Sequence, residues 1–215
     1  MRRSRRHVAL VTTAISVLGA ALSGCDAPPA SWMNEPTSTP TLFAPDRIST
    51  EAREYGIAFS PDGREAYFTR RTRRGPPRIY LSRYLNGAWS EGEPAPFSVD
   101  GDEAPFMTRD GTLLLFASRR PTPGRWDRSE NLWMVERGVD GWLEPAPLAG
   151  EVNRPWEEVD DFTRGSELGP ILLDDGTLLY WSRVDPEWGD DLYVAVRDDD
   201  GGWVEPRPLL INSYG

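Results

Sequence analysis

The chain has 215 residues and a formal net charge of −10, with 34 acids set against 24 Arg and no Lys. An acidic, Lys-free surface argues against nucleic acid as a ligand, because phosphate backbones require a basic face. It argues equally against polybasic attachment to anionic lipid. The 20 Gly and 20 Pro supply many turns, and nine Trp is a high count that a repeat would explain.

Residues 1–24 read as a signal. Arg2, Arg3, Arg5 and Arg6 precede an apolar run from Val8 to Leu22, followed by Leu22-Ser23-Gly24-Cys25. The run is short for a bilayer span of roughly 20 residues, and the pattern is that of a processing segment. Small residues before a cysteine at this place resemble a bacterial lipobox. The resemblance implies cleavage before Cys25, lipidation of that residue, and a membrane-anchored domain facing the periplasm or the exterior. An ordinary signal peptide with an incidental cysteine and a retained transmembrane helix are the alternatives. Cys25 is the only Cys, so no intramolecular disulfide forms, and lipidation would consume a thiol that is otherwise odd in an exported protein. Without the four signal Arg, 20 Arg face 34 acids, a charge of −14.

Residues 25–41 are rich in Pro, Ser and Thr and have no periodic apolar face, which predicts an extended, solvated tether. Thr41-Leu42-Phe43-Ala44-Pro45 reads as the start of an outer strand whose own blade is absent, with Leu42 to Ile48 free to complete the last blade.

From residue 42 to residue 215 one unit occurs three times. Each copy carries an Asp-Gly turn, Asp62-Gly63, Asp110-Gly111 and Asp175-Gly176, flanked by apolar runs. Such turns are strong hairpin signals, with Gly taking a positive φ and Asp bonding its own backbone. An acid precedes each turn (Glu54, Glu103, Glu167). Behind it come an apolar-aromatic pair (Ile79-Tyr80, Leu132-Trp133, Leu192-Tyr193) and a Trp leading into Glu and Pro (Trp89, Trp142, Trp203). Strand, turn, strand, loop, strand, turn and Trp-led strand make four short strands at a period of about 40–60 residues, the pattern of a propeller blade. The predicted fold is therefore all-β: a β-propeller of about three four-stranded blades, incomplete or part of a larger ring. The string Phe59-Ser60-Pro61-Asp62-Gly63, then Tyr67-Phe68, Ile79-Tyr80 and Trp89, resembles the WD40-like repeat of TolB-type β-propellers. An insertion at about residues 154–165 and the absence of Ser-Pro from the second and third turns depart from that pattern.

The only His is His7, inside the signal. The mature chain thus lacks an imidazole base and a free thiol, which removes Ser-His-Asp, Cys-His and His/Cys zinc chemistry. No cofactor is expected. The acidic clusters Glu157, Glu158, Asp160, Asp161 and Asp185, Glu187, Asp190, Asp191 read as solvated loops, with calcium binding and paired-carboxylate catalysis as rivals. In a propeller the first strands line the channel, so Glu54, Glu103 and Glu167 would ring one mouth. Arg70, Arg119 and Arg183, after the second strands, would answer them, either as repeated ion pairs or as a binding ring. Trp89, Trp142 and Trp203 are expected to pack between blades.

The leading functional expectation is a non-enzymatic, lipid-anchored scaffold for protein partners in the bacterial envelope. The alternatives are a glycan or peptidoglycan-fragment binder that uses the loop residues Trp126, Trp156 and Trp188, or the propeller part of a truncated hydrolase. Three blades leave two apolar blade faces without neighbours, so self-association through them is a further expectation.

Overall fold

The computed structural model describes residues 38–122, 129–153, 165–185 and 189–209. Within them the chain is all-β and forms three antiparallel sheets in which consecutive strands pair. Blade 1 holds β1 (Arg53–Phe59), β2 (Glu65–Arg71) and β3 (Pro77–Leu85), with two short strands, β4 (Ala88–Trp89) and β5 (Glu93–Pro94), both on β3. Blade 2 repeats this plan with β6 (Asp102–Met107), β7 (Leu113–Ser118), β8 (Asn131–Gly138), β9 (Gly141–Trp142) and β10 (Ala146–Pro147). Blade 3 is β11 (Glu167–Leu172), β12 (Leu178–Asp185), β13 (Gly189–Arg197) and β14 (Trp203–Pro208).

The Asp-Gly turns nucleate the first hairpin of each blade. Gly63, Gly111 and Gly176 have φ of +68°, +71° and +84°, where a Cβ is disfavoured. The turn carboxylates accept the backbone N–H two residues on, from Arg64 at 3.0 Å, Thr112 at 3.1 Å and Thr177 at 2.9 Å. In blades 1 and 2 a hydroxyl closes the turn from the other side. Ser60 and Thr108 each donate to their Asp at 2.6 Å and accept from the first residue of the following strand. Blade 3 has Leu173 at that station and a tighter loop: Leu173 N–H bonds the Thr177 carbonyl, four residues on, where Thr108 reaches five residues to Leu113.

Each blade has a rear face toward the preceding unit and a front face toward the next. Side chains alternate between the faces along a strand, and the middle strand of blade 2, Leu113–Ser118, reads as an almost unbroken apolar run because both its faces are covered. The front of blade 1 (Ala58, Tyr67, Ile79, Leu81) packs on the rear of blade 2 (Met107, Leu114, Phe116, Trp133, Val135). The front of blade 2 (Phe106, Leu113, Leu115, Leu132, Met134) packs on the rear of blade 3 (Leu172, Leu178, Tyr180, Tyr193, Ala195).

The connections between blades belong to these cores. Phe97 lies between blades 1 and 2, its ring 6.2 Å from Tyr67 and 5.5 Å from Trp142. Ser98 Oγ accepts the Ile79 N–H at 3.0 Å, and Asn153 Oδ1 accepts the equivalent Leu132 N–H at 2.6 Å. Gly150 lets the second connection pair with β14: Glu151 N–H bonds the Trp203 carbonyl at 2.7 Å and Trp203 N–H the Ala149 carbonyl at 3.1 Å.

The N-terminal segment differs from expectation. Residues 42–48 form a turn closed by a Pro45–Ser49 bridge, not an outer strand. They belong to blade 1 and do not complete blade 3. Phe43, Ala44 and Ile48 cover its rear face over Ala66, Phe68, Phe59, Tyr80 and Trp89. The physical reason is apolar burial: the Phe43 ring meets Phe59 at 5.6 Å and Trp89 at 5.5 Å, a gain that an edge strand in water would forgo. Of the two faces expected to be uncovered, the rear of blade 1 is therefore partly closed from within the chain.

Candidate functional site

The innermost strands β1, β6 and β11 each carry a bulge, between Tyr55 and Ile57, Glu103 and Phe106, and Leu168 and Ile171. The bulged residues Gly56, Ala104 and Gly169 have φ of +56°, +55° and +57°. A bulge re-aims the side chains around it, and here it stacks one blade on the next. Ala104 N–H donates to Thr69 Oγ1 of blade 1 at 2.9 Å, and a Cβ on Gly56 would stand 3.1 Å from the Ala104 Cα.

Two residues before each bulge sits an acid, and the ladder shows which acids are equivalent. Glu54 pairs with Arg70, Asp102 with Ser118 and Glu167 with Ser182. The sequence grouping of Glu54, Glu103 and Glu167 is thereby corrected: Asp102 holds the blade 2 station and Glu103 is its neighbour, equivalent to Tyr55. Glu103 accepts the Tyr55 hydroxyl at 2.7 Å, a bond between blades 2 and 1. That bond and burial raise the Tyr55 pKa, burial being the larger cause.

These acids are built into the fold. Glu54 accepts Arg70 Nε at 2.9 Å and the Thr50 hydroxyl at 2.6 Å. The Arg70 guanidinium lies over Phe68 and Tyr80, at 5.2 and 4.9 Å, and donates to the carbonyls of Arg47 and Ile48. Blade 2 repeats the clamp with Arg120. It bonds Asp102 at 2.8 Å, donates to the Phe97 carbonyl, and lies over Phe116 and Trp133 at 5.2 and 5.3 Å. Asp102 is buried and also accepts the Ser118 hydroxyl at 2.6 Å and the Val99 N–H at 2.8 Å. Burial pushes the Asp102 carboxyl up, against these donors and Arg120.

Arg120 is the functional equivalent of Arg70, and sequence spacing missed it by choosing Arg119. Arg119 instead binds the buried Glu130, whose second oxygen accepts the Ser166 hydroxyl of the segment entering blade 3 at 2.7 Å. Glu167 is buried and accepts Ser182 Oγ at 3.4 Å. The Arg183 backbone pairs with Ser166 and Gly165. The signal that would have found Arg120 is its aromatic partners, Phe116 and Trp133, at the stations of Phe68 and Tyr80.

The Trp residues close the other edge of the seams. Trp142 donates its Nε1–H to the Tyr67 hydroxyl at 2.9 Å and lies under Arg137, which also reaches Tyr67 and Glu65. Burial, then the Glu65 charge, pushes the Tyr67 hydroxyl up to about 12. Trp203 is buried in the seam of blades 2 and 3, and Trp89 packs on Phe43. Beyond Trp142, between the turn ends of blades 1 and 2, an open cleft of about 650 Å³ is lined by Arg64, Arg83, Tyr84, Leu85 and Arg137 among others. Among the described residues no group of three acids is placed to hold a metal ion. Cys25, Trp126, Trp156, Trp188, Glu157, Glu158, Asp160, Asp161 and Glu187 lie outside the described residues.

Blades joined through such seams are similar to part of TolB. TolB from Acinetobacter baumannii aligns with 72% of this chain and 31% of its own length, at 19% identity and a TM-score of 0.47. A putative TolB from Agrobacterium tumefaciens aligns over 75% of this chain and 50% of its own, at 16% identity and a TM-score of 0.47. A thermostable family-43 glycoside hydrolase aligns over 73% and 53%, at 16% identity and a TM-score of 0.45. The chain thus spans between about a third and about half of the length of these structures. No family model and no curated protein matches it.

Proposed function

We propose that the chain is a non-enzymatic interaction scaffold of the bacterial envelope, held at a membrane through lipid on Cys25. The observation that carries the scaffold reading is the fate of the inner-mouth acids. Glu54 and Asp102 accept bonds from Arg70 and Arg120 of their own blades, and Glu103 accepts the Tyr55 hydroxyl of blade 1, so these carboxylates are engaged in holding the fold together. The cleft between the turn ends of blades 1 and 2 presents Arg64, Arg83, Arg137 and Tyr84, residue types enriched at protein contacts, alongside the acids Asp62, Glu65 and Asp110. The lipobox-like Leu22-Ser23-Gly24-Cys25 and the Pro-rich tether supply the anchoring part.

Two measurements test it. Cys25→Ser moves the protein from the membrane to the soluble fraction; a variant that stays with the membrane after export defeats the anchor. A photoreactive residue at Leu85, which is 59% exposed beside the cleft, captures a protein adduct in intact cells, whereas one at Val139 on the β8–β9 turn, fully exposed, does not. Equal labelling at the two positions defeats the scaffold reading, as does turnover of a glycoside or peptide abolished by one acid-to-amide change.

A further inference from the structure

The front face of blade 3 is a sheet face of the kind that blades 1 and 2 bury. Along β12, Leu178 and Tyr180 enter the seam with blade 2, so Leu179 and Trp181 point to the front. The cross-strand row Ile171–Leu179–Val194 and the pair Trp181–Leu192 extend that face. Trp181 is 51% exposed, Ile171 44% and Val196 38%, a contiguous apolar surface of the kind that marks an interface.

The two internal seams show what such a face docks against. In the first, Tyr67 on the front of blade 1 packs on Phe97 at 6.2 Å and on Trp142 at 5.7 Å, and those two rings meet edge to face at 5.5 Å. The rear of blade 1 carries the same pair: Phe43 and Trp89 also meet edge to face at 5.5 Å. Next to Phe43 is an apolar hollow of about 380 Å³, lined by Ile48, Gly56, Ile57, Phe59 and Phe68. Ile57 in it is 44% exposed. Tyr67 stands opposite Ala58 in its ladder, and Leu179 opposite Ile171, at the same front-face station.

Charge points the same way. The β2–β3 connection of blade 1 carries exposed Arg71, Arg73 and Arg74. At the equivalent end of blade 3, β12 closes on Asp185 and β13 opens on Gly189-Asp190-Asp191.

We propose that the front of blade 3 docks on the rear of blade 1 of a second copy of this chain. Two such contacts related by a two-fold axis close a ring of six blades, each contact continuing the seam geometry already repeated inside the chain. The acidic end of one copy's blade 3 then meets the basic end of the other's blade 1, which favours this pairing over front-to-front contact.

The test uses the full chain in a Cys25→Ser background, where introduced thiols are the only ones. Two differently tagged copies are co-expressed, one with Trp181→Cys and one with Ile57→Cys. Mild oxidation yields a disulfide-linked heterodimer, and none forms when Val139→Cys replaces Ile57→Cys. Light scattering of the parent gives twice the chain mass, and Trp181→Glu halves it with the β-sheet spectrum unchanged. A parent of single-chain mass overturns the proposal. Trp181–Trp181 homodimers would establish front-to-front pairing and also overturn it. A ladder of ever-larger species would overturn ring closure.

Discussion

The turn aspartates and the bulge residues can each be tested with one substitution. Asp62, Asp110 and Asp175 all have lowered pKa values. At Asp62 burial works upward and is outweighed by the Ser60 hydroxyl and the Arg64 N–H; at Asp110 the Thr108 hydroxyl leads, and at Asp175 the Thr177 N–H. A lowered carboxyl leaves the unfolded chain with more bound protons in acid. The turns' contribution is therefore complete above the ordinary Asp value of about 4 and is lost as the pH falls through the folded values. Replacing all three by Asn, which keeps an acceptor oxygen, gives a melting temperature below the parent's at pH 7, with the gap closing below about pH 4. A pH-independent gap would refute the assignment. Asp102 has the opposite sign: its raised carboxyl favours the folded state most at low pH and loses that contribution as the pH rises above the ordinary value. At the bulge, Ala104 holds φ +55° where its counterparts are Gly. Ala104→Gly raises stability by up to about 1 kcal/mol, whereas the same change in a regular strand costs roughly 0.5–1 kcal/mol. Thermal melts of the two kinds of variant separate these outcomes.

Among the elements, the strongest dependence falls on the join of blade 3. A Cβ on Gly150 would lie 2.1 Å from the Trp203 carbonyl oxygen and 2.6 Å from its nitrogen, at φ +98°. Both neighbours are backbone, so relief requires β14 to move. Gly150→Ala should cost at least about 2 kcal/mol. Gly141→Ala, at φ +127° with no atom within 4 Å, bears the backbone term alone and should cost about 1 kcal/mol. Equal losses would remove the close approach as the cause. The hairpins themselves were legible in the sequence because Asp-Gly between apolar runs is a local signal. The register was not. The tighter blade 3 turn, with Leu173 bonding Thr177 where Thr108 bonds Leu113, shifts every count made downstream of the glycine by one, so that Leu178 stands at the station of Leu114. Bulges add residues that no apolar pattern reveals. Blade 2 departs for another reason: Asp102 lies nine residues before Gly111, as Glu54 and Glu167 lie nine before Gly63 and Gly176, so Glu103 is one residue off that count, while Arg120 lies two residues beyond Ser118, the ladder partner of Asp102, where Arg70 is itself the partner of Glu54.

For the whole molecule, stability rests on seams. Phe97, 8% exposed, is shared by two blades, and Phe97→Ala should cost about 3–5 kcal/mol. Phe43→Ala, at a half-buried station over blade 1 alone, should cost less. Denaturant titrations of both rank them, and a larger loss at Phe43 would contradict the equivalence of the two stations. The N-terminal segment reads as an outer strand because Leu42 and Phe43 are apolar, but an apolar run says nothing of which face it will find, and Phe43 found the rear of blade 1. That equivalence also makes the molecule modular. Phe43 and Trp89 already present the docking plate that Phe97 and Trp142 offer to Tyr67. A duplicate of residues 51–95 spliced ahead of Phe43 would meet a prepared surface and add one unit without redesign of its neighbour. The repeat can therefore be lengthened one blade at a time, a property useful to gene duplication and to protein engineers alike.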